Sequence, residues 1–320
     1  MKLFFIILTL TTALLMLLFP NVTSSYAKEG LLIWLQNVLP SLYPFMVLQS
    51  ILIQMHFDET LGKILSPLLK KIFPLSNNAF FAIPVGFLCG FPMGAIITTD
   101  LYQKQKINKT DAELLLSFCN NIGPVYSLTM ILPLFDKKLH LYIMLLIYGI
   151  PFLYGIIITN LTVIRKKKKR ENKFYIPPNT KSQTDNSLKP AKMLFKALQS
   201  SGVSILTLGG CMIFFSILRI FTDIIPRNLP IIHCIGTGFL EPGSFISLIS
   251  QKLNVINTNC AIILLSLIIP GGLSCTMQTL SIICETDLSI KKYIFNKIAQ
   301  TILWILICIF LFSLKQEEIL

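Results

Sequence analysis

Residues 86–100 read GFLCGFPMGAIITTD, an apolar stretch of membrane-helix character carrying Gly86, Gly90, Pro92 and Gly94 through its middle. Proline lacks an amide donor and clashes with the preceding turn, and glycine is weak in helix interiors, so a helix breaks here. Hydrocarbon supplies no hydrogen bonds to the amides and carbonyls that a break frees. Irregular backbone at membrane depth is therefore tolerated only where protein or a water-filled cavity covers it. Gly90, Pro92 and Gly94 are accordingly the first candidates for a binding site.

The membrane setting follows from composition. The chain has 320 residues, 53% of them hydrophobic and 13% charged, against about 25% charged in ordinary soluble domains. Its mean hydropathy is +0.70. The expected fold is all-α, a polytopic integral membrane protein. Lys and Arg outnumber Asp and Glu by 28 to 15, and their placement is informative. Arg165-Lys166-Lys167-Lys168-Lys169-Arg170 directly follows the apolar run 139–164, and positive charge beside a span marks the cytoplasmic side. A multi-pass location in the cell membrane, with the basic run 165–173 cytoplasmic and membrane lipids as neighbours, is the expectation. Nucleic acid is not expected as a partner, because the run abuts a span and lacks base-reading groups around it. The eight cysteines lie mostly in apolar runs with no CxxC pair and read as small buried hydrophobes. His56, His140 and His233 are far apart in sequence, so neither a metal site nor any other cofactor is expected.

Along the chain the hydropathy gives about eight apolar segments, several of them discontinuous or re-entrant. Residues 3–19 form either an uncleaved first span, the favoured reading, or a signal peptide with small residues at Ser25-Tyr26-Ala27. Pro40 and Pro44 predict a kinked helix over 31–55, and 61–73 suits an interfacial amphipathic helix or an ordinary loop helix. Asn108 is a candidate N-cap, with Asp111 and Glu113 in the first turn, so a helix should start near 109. It runs into Asn120-Asn121-Ile122-Gly123-Pro124, a second break. Residues 171–190 are polar and rich in Pro, Asn, Ser and Thr, which reads as a linker. Four further apolar runs follow, at about 197–222, 229–251, 260–284 and 293–314. The organisation expected is 1–27 N-terminal hydrophobic segment, 28–164 first half, 165–195 basic linker and 196–320 second half.

The halves are comparable. Placing Gly90 on Gly271 sets GFPMGAIITTDLYQKQKIN over GGLSCTMQTLSIICETDLS, so that a Gly-marked break, a Thr-rich stretch, a polar loop and a capping Asn108 or Ser289 coincide. Interrupted segments at corresponding places in two halves point to a transporter site near the bilayer midplane. The second half also holds IGTGFLEPGSF, with Glu241 in an apolar run. An ionisable group there faces a cavity or a partner, ends a span at the interface, or holds a re-entrant loop through a lysine or backbone amides. Asn120, Asn121, Gln278 and Ser274 read equally as ligand contacts or as interhelical hydrogen-bonding groups, and Asp100 as a site residue or a surface helix end.

GFLCGFPMGAIITTDLY, LLSFCNNIGP, GFLEPG and GGLSCTMQTLSI together resemble the YlbJ-type sporulation integral membrane proteins, which contain the nucleoside-recognition or Gate domain; AKEGLLIWLQNVLPSLYPF is similar to that family's start. The resemblance implies an all-helical membrane protein of an endospore-forming bacterium, needed for sporulation, with a domain shared with nucleoside transporters and spore-maturation proteins. It carries over to Gly90, Pro92 and Gly94; to Asn120, Gly123 and Pro124; to Glu241; and to Gly272, Ser274 and Gln278. This chain differs at Phe91, where the family commonly has tyrosine, and at Ile122, where a small polar residue is common.

The function expected is a carrier of a small polar solute, with Gly90, Pro92, Gly94, Asn120, Asn121, Gly123, Glu241, Gly272, Ser274 and Gln278 as candidate contacts. The alternative is a non-transporting scaffold for spore envelope or cortex formation, docking other sporulation membrane proteins through the basic linker; self-association is compatible with both. No catalytic cluster of His, Asp or Ser is evident, so an enzyme is not expected. No GxxxxGK[ST] segment occurs either, which argues against ATP-driven transport.

Overall fold

A computed structural model describes residues 2–55, 57–168, 190–224, 230–252 and 265–317, and every regular element in them is helical. Helix α1 (Lys2–Leu18) meets α2 (Pro20–Ile33) at Phe19. A π-helical turn, Trp34–Val38, joins α2 to α3 (Leu39–Gln54). The kink expected from Pro40 thus takes the form of an inserted residue in the helical ladder just before that proline, and Pro44 is carried inside α3. Helix α4 (Phe57–Ile72) is amphipathic, with Leu61, Leu65, Leu69 and Ile72 on the core while Ile64 and Leu68 stay exposed.

After a short 3₁₀ turn come α5 (Ala82–Cys89) and α6 (Met93–Gln103), separated by the break at Gly90. Helix α7 (Lys109–Phe118) begins as expected: Asn108 Oδ1 accepts from the Asp111 amide at 2.9 Å. It stops at the two asparagines, and the chain resumes at Pro124 as α8 (Pro124–Tyr126), continued by π and 3₁₀ turns to Leu134. Helix α9 (His140–Lys168) is long and carries the first part of the basic run; residues 169–189, most of the expected linker, lie outside the described residues. In the second half α10 (Pro190–Ile217) continues through a 3₁₀ stretch to Ile224. Then α11 (Pro230–Leu240) and α12 (Pro242–Lys252) flank Glu241. Helix α13 (Gly272–Ile283) follows a turn at Gly271, and α14 (Ile290–Glu317) ends the described chain.

Among the described residues five helices are long and apolar enough to cross a membrane: Pro20–Gln54, Lys137–Ile164, Pro190–Asp223, Leu265–Ile283 and Ile290–Phe310. A sixth is added if Glu59–Ile72 and Asn77–Cys89, bent by 96°, form one broken span. Against the expectation of about eight apolar segments, the described residues hold these five or six candidate spans together with the shorter apolar helices Ile6–Leu18 and Pro124–Leu134. The break before Pro124 leaves Pro124–Leu134 as a short apolar helix, and Glu241 separates α11 from α12. The proposed repeat is matched at its anchors only in φ: Gly90 and Gly271 have φ of 82° and 84° but ψ of −168° and 4°. It is not matched afterwards, because α14 runs unbroken where the first half has the Asn120–Gly123 interruption.

Three buried apolar clusters hold these pieces. One joins α5, α6, α7 and α9 through Phe73, Phe80, Phe81, Leu115 and Phe118, with Phe73 and Phe118 stacked at 5.3 Å. A second joins α8, α9, α12 and α14 around Trp304 and Phe245. The third is discussed below. The crossing of α2 and α10 is close because its contact residues are small: a Cβ at Gly30 would sit 2.5 Å from Ser216 Oγ, and just beyond it Trp34 packs on Gly209 and donates from Nε1 to the Ile205 carbonyl at 3.2 Å. Of the cysteines, Cys89, Cys119 and Cys308 are buried as expected; Cys284, at the end of α13, is exposed.

Candidate functional site

The interruptions meet in space. A Cβ on Gly90 would overlap the amide nitrogen and Cα of Gly123, so the first break lies directly on the second. A Cβ on Gly271 would meet the Phe91 ring at 3.1 Å, which brings the fourth break onto the first. A Cβ on Gly272 would sit 2.8 Å from the Phe239 carbonyl and 3.1 Å from Pro242, tying the fourth to the third. Gly94 and Gly86 both press on the Cys119 carbonyl, where no side chain fits. Glycine is thus required at these crossings for close backbone approach, and at Gly90 and Gly271 for positive φ as well.

Between the breaks lies a cavity of about 90 Å³, room for more than a single water molecule. Gly123, Glu241, Ser274 and Gln278 of the expected residues line it. Phe91, Tyr126, Gly271 and Cys275 complete its polar and aromatic part, while Val38, Leu42, Leu208 and Met212 form an apolar wall. Gly90, Pro92, Gly94 and Gly272 stand behind the lining: they shape the crossings that let the wall residues approach.

Glu241 is buried, at 4% exposure, with its carboxylate on the first turn of α12. Its Oε2 accepts from the Ser244 amide, and the Gly243 amide and the Ser244 hydroxyl contribute as well. Of the alternatives the sequence left open, the structure shows backbone amides holding a loop, with the same carboxylate facing the cavity. A carboxylate at a helix N-terminus is favoured by the free amides and the helix dipole. Gln278 Nε2 donates to Ser274 Oγ at 3.2 Å, one turn apart on α13.

Asn120 and Asn121 lie beside the cavity rather than in its wall, in a buried polar cluster. Asn120 Nδ2 donates to Thr279 Oγ1 at 2.9 Å and Tyr293 Oη at 3.3 Å. Its carbonyl accepts from Lys297 Nζ at 2.5 Å, and Asn121 Oδ1 accepts from the same ammonium at 2.9 Å. Gln300 Oε1 is the third acceptor, at 3.3 Å, while Gln300 Nε2 donates to the Ser117 carbonyl at 2.5 Å. The Lys297 ammonium also lies 5.2 Å from the centre of the Phe91 ring, whose other side belongs to the cavity wall. Lys297, 4% exposed, thereby closes the orphaned end of α7 and stands one aromatic ring from the cavity.

Lys297 and Gln300 escaped the sequence reading because they sit in a run taken only as a span. A lysine followed at i+3 by a glutamine within apolar sequence was nevertheless a usable sign, since ionisable groups in spans face the bundle interior. Asp100, by contrast, pairs with Lys104 at 2.8 Å near the end of α6, in keeping with a surface helix end. On that same end Asp287 is held below the usual carboxylate range by the Lys109 ammonium and the Tyr102 hydroxyl, at 2.8 and 2.6 Å.

The fold and this geometry define a class: an integral membrane protein of several apolar helices whose interrupted segments converge on one partly polar cavity. Its relatives are more particular. Residues 35–166, which contain the first two breaks, match the family described as Gate, nucleoside recognition. The chain is 27% identical over 329 residues to the sporulation integral membrane protein YlbJ of Bacillus subtilis strain 168, covering 93% of this chain and 78% of that protein. The resemblance to YlbJ-type proteins carried by the four motifs thus extends along nearly the whole sequence. No solved structure matches the chain.

Proposed function

We propose that this protein is a sporulation-associated carrier that moves a small polar solute through the cavity where its helix breaks meet. One observation carries the reading: four interruptions, drawn from both halves of the sequence, touch one another around a cavity lined by Glu241, Ser274 and Gln278. Discontinuous helices around a central site are how secondary transporters present helix ends to a solute. A family described by nucleoside recognition and a relative named as a sporulation integral membrane protein are in keeping with it.

In this reading Glu241 and Gln278 contact the solute, Lys297 fixes the Asn120–Gly123 break, and the protein performs no covalent chemistry. Uphill movement draws on an ion gradient or a partner, in the absence of a nucleotide-binding motif. The lysines at the ends of α4, α6 and α9 support a cytoplasmic position for the end of the molecule that carries the basic run.

The test has two parts. Purified, folded protein is melted in the presence of nucleosides, dipicolinate, amino acids and wall precursors; a bound solute raises the melting temperature. No shift with any of them counts against a carrier. Glu241→Gln is expected to abolish uptake of the stabilising solute at unchanged membrane abundance. Loss of abundance would make the carboxylate structural.

A further inference from the structure

A second cavity, of about 270 Å³, lies between α3, α6 and α10. Alongside Met46, Ile53, Met93 and Ile96 its wall carries a cluster of polar side chains, Gln49, Ser50, Gln54, Ser200, Ser201 and Ser204, and the charged Asp100, Lys104 and Lys196. Gln49 is 6% exposed and its Oε1 has no hydrogen-bond partner. An unpaired amide oxygen buried between membrane helices is costly unless water or a solute reaches it.

Both cavities are built on the same elements. On α10 the lining passes from Ser200, Ser201 and Ser204 in the polar cavity to Leu208 and Met212 in the central one. On α3 it passes between Phe45 and Met46, and across the first break between Phe91 and Met93. What separates them is the third apolar cluster. Met46 and Met93 face the polar side, Leu208 and Met212 face the central side, and Ile205 lies in the cluster and lines neither. Ser204 and Leu208 are four residues apart, so on α10 the barrier is about 6 Å thick. A thin apolar constriction between two hydrated spaces blocks passage by excluding water, and unbranched methionines re-pack at low cost.

From this arrangement we infer that the polar cavity is a vestibule leading to the central site, and that Met46, Met93 and Ile205 form its gate. The proposal rests on the carrier reading. The vestibule would take a hydrated small polar solute, with Gln49 and the serine hydroxyls replacing its water, and it opens on the face of Asp100, Lys104 and the first turns of α10. Opening requires only that α6 shift against α10. The Gly90 break lets α6 move apart from α5.

Thiol labelling in membrane vesicles tests this with no solute present. A membrane-impermeant, charged methanethiosulfonate is applied to each face separately, and modification is read peptide by peptide by mass spectrometry. Cys284, exposed at the Asp287 end, identifies the vestibule face. Ser201→Cys and Gln49→Cys are expected to react from that face at least tenfold faster than Val203→Cys, whose side chain is 64% exposed on the outer surface of α10. Rates no faster than that control, or reaction only from the opposite face, overturn the vestibule. The native Cys275 of the central cavity should react slowly from the vestibule face, and at least tenfold faster once Met93→Ala or Met46→Ala thins the barrier. No acceleration with either variant in folded protein overturns the gate. Labelling as expected in a protein that moves no solute supports the hydrated path and refutes only the carrier reading; transport with an unlabelled vestibule refutes the path alone.

Discussion

Gly90→Ala is the most direct test of the crossing on which the site depends. Gly90 has φ 82° and ψ −168°, a region that is essentially glycine-only and costs a side-chain-bearing residue about 1–3 kcal/mol. Its new methyl would also come within 2.3 Å of the Gly123 amide nitrogen, and such overpacking costs a further ~1–3 kcal/mol. The sum, about 2–6 kcal/mol, corresponds to a fall in melting temperature of roughly 5–15 °C. Gly149→Ala is the control: it lies within α9 with nothing inside 4 Å of a Cβ, and should hold or gain up to ~1 kcal/mol. Both are read from the temperature at which detergent-solubilised protein loses its monodisperse chromatographic peak. Gly123→Ala, whose Cβ would meet the Cys89 carbonyl at 2.8 Å, attacks the same crossing from the other chain segment. The double variant should lose less than the two single losses added, because once the segments part for one methyl there is room for the next. A Gly90→Ala protein melting with Gly149→Ala would refute the reasoning, and strict additivity would refute the shared crossing.

Two smaller perturbations check other links. Asn121→Leu keeps the branched outline but takes an acceptor from the buried Lys297 ammonium and a donor from the Phe118 carbonyl, so it should cost at least about 1.5–3 kcal/mol in the same melting assay; an unchanged melt would show that water already serves that ammonium. Asn108→Ala removes the cap on α7 and should cost about 1 kcal/mol, visible as faster amide hydrogen exchange over 109–112 with the α9 amides unchanged.

The breaks were legible because glycine, proline and asparagine advertise backbone that leaves the helix, and each of the quoted motifs does interrupt its helix. The Asn108 cap was legible for the same local reason. What local sequence does not encode is which break faces which, so the cavity's wall could not be read: Gly271 rather than Gly272 lines it, and Phe91, noted only as a departure from a family pattern, is the ring between Lys297 and the cavity. Hydropathy registers apolar content and so marks segments; it does not tell a break that ends a span from one that lies within it, as Gly271 does inside Leu265–Ile283. Lys297 was hidden by its own surroundings, since its three acceptors are neutral and mostly lie far away in sequence.

That distance also bears on how the protein is made. The Asn120 carbonyl is closed by a residue 177 positions later in the chain. At synthesis rates of about 5–20 residues per second, the first half waits in the membrane for roughly 10–35 s with its asparagine break uncapped. Throughout that interval the nascent chain exposes polar backbone that hydrocarbon cannot satisfy. Chains ending before residue 297 never leave that state, which makes arrival of the last helix the step that separates a finished protein from one open to membrane quality control.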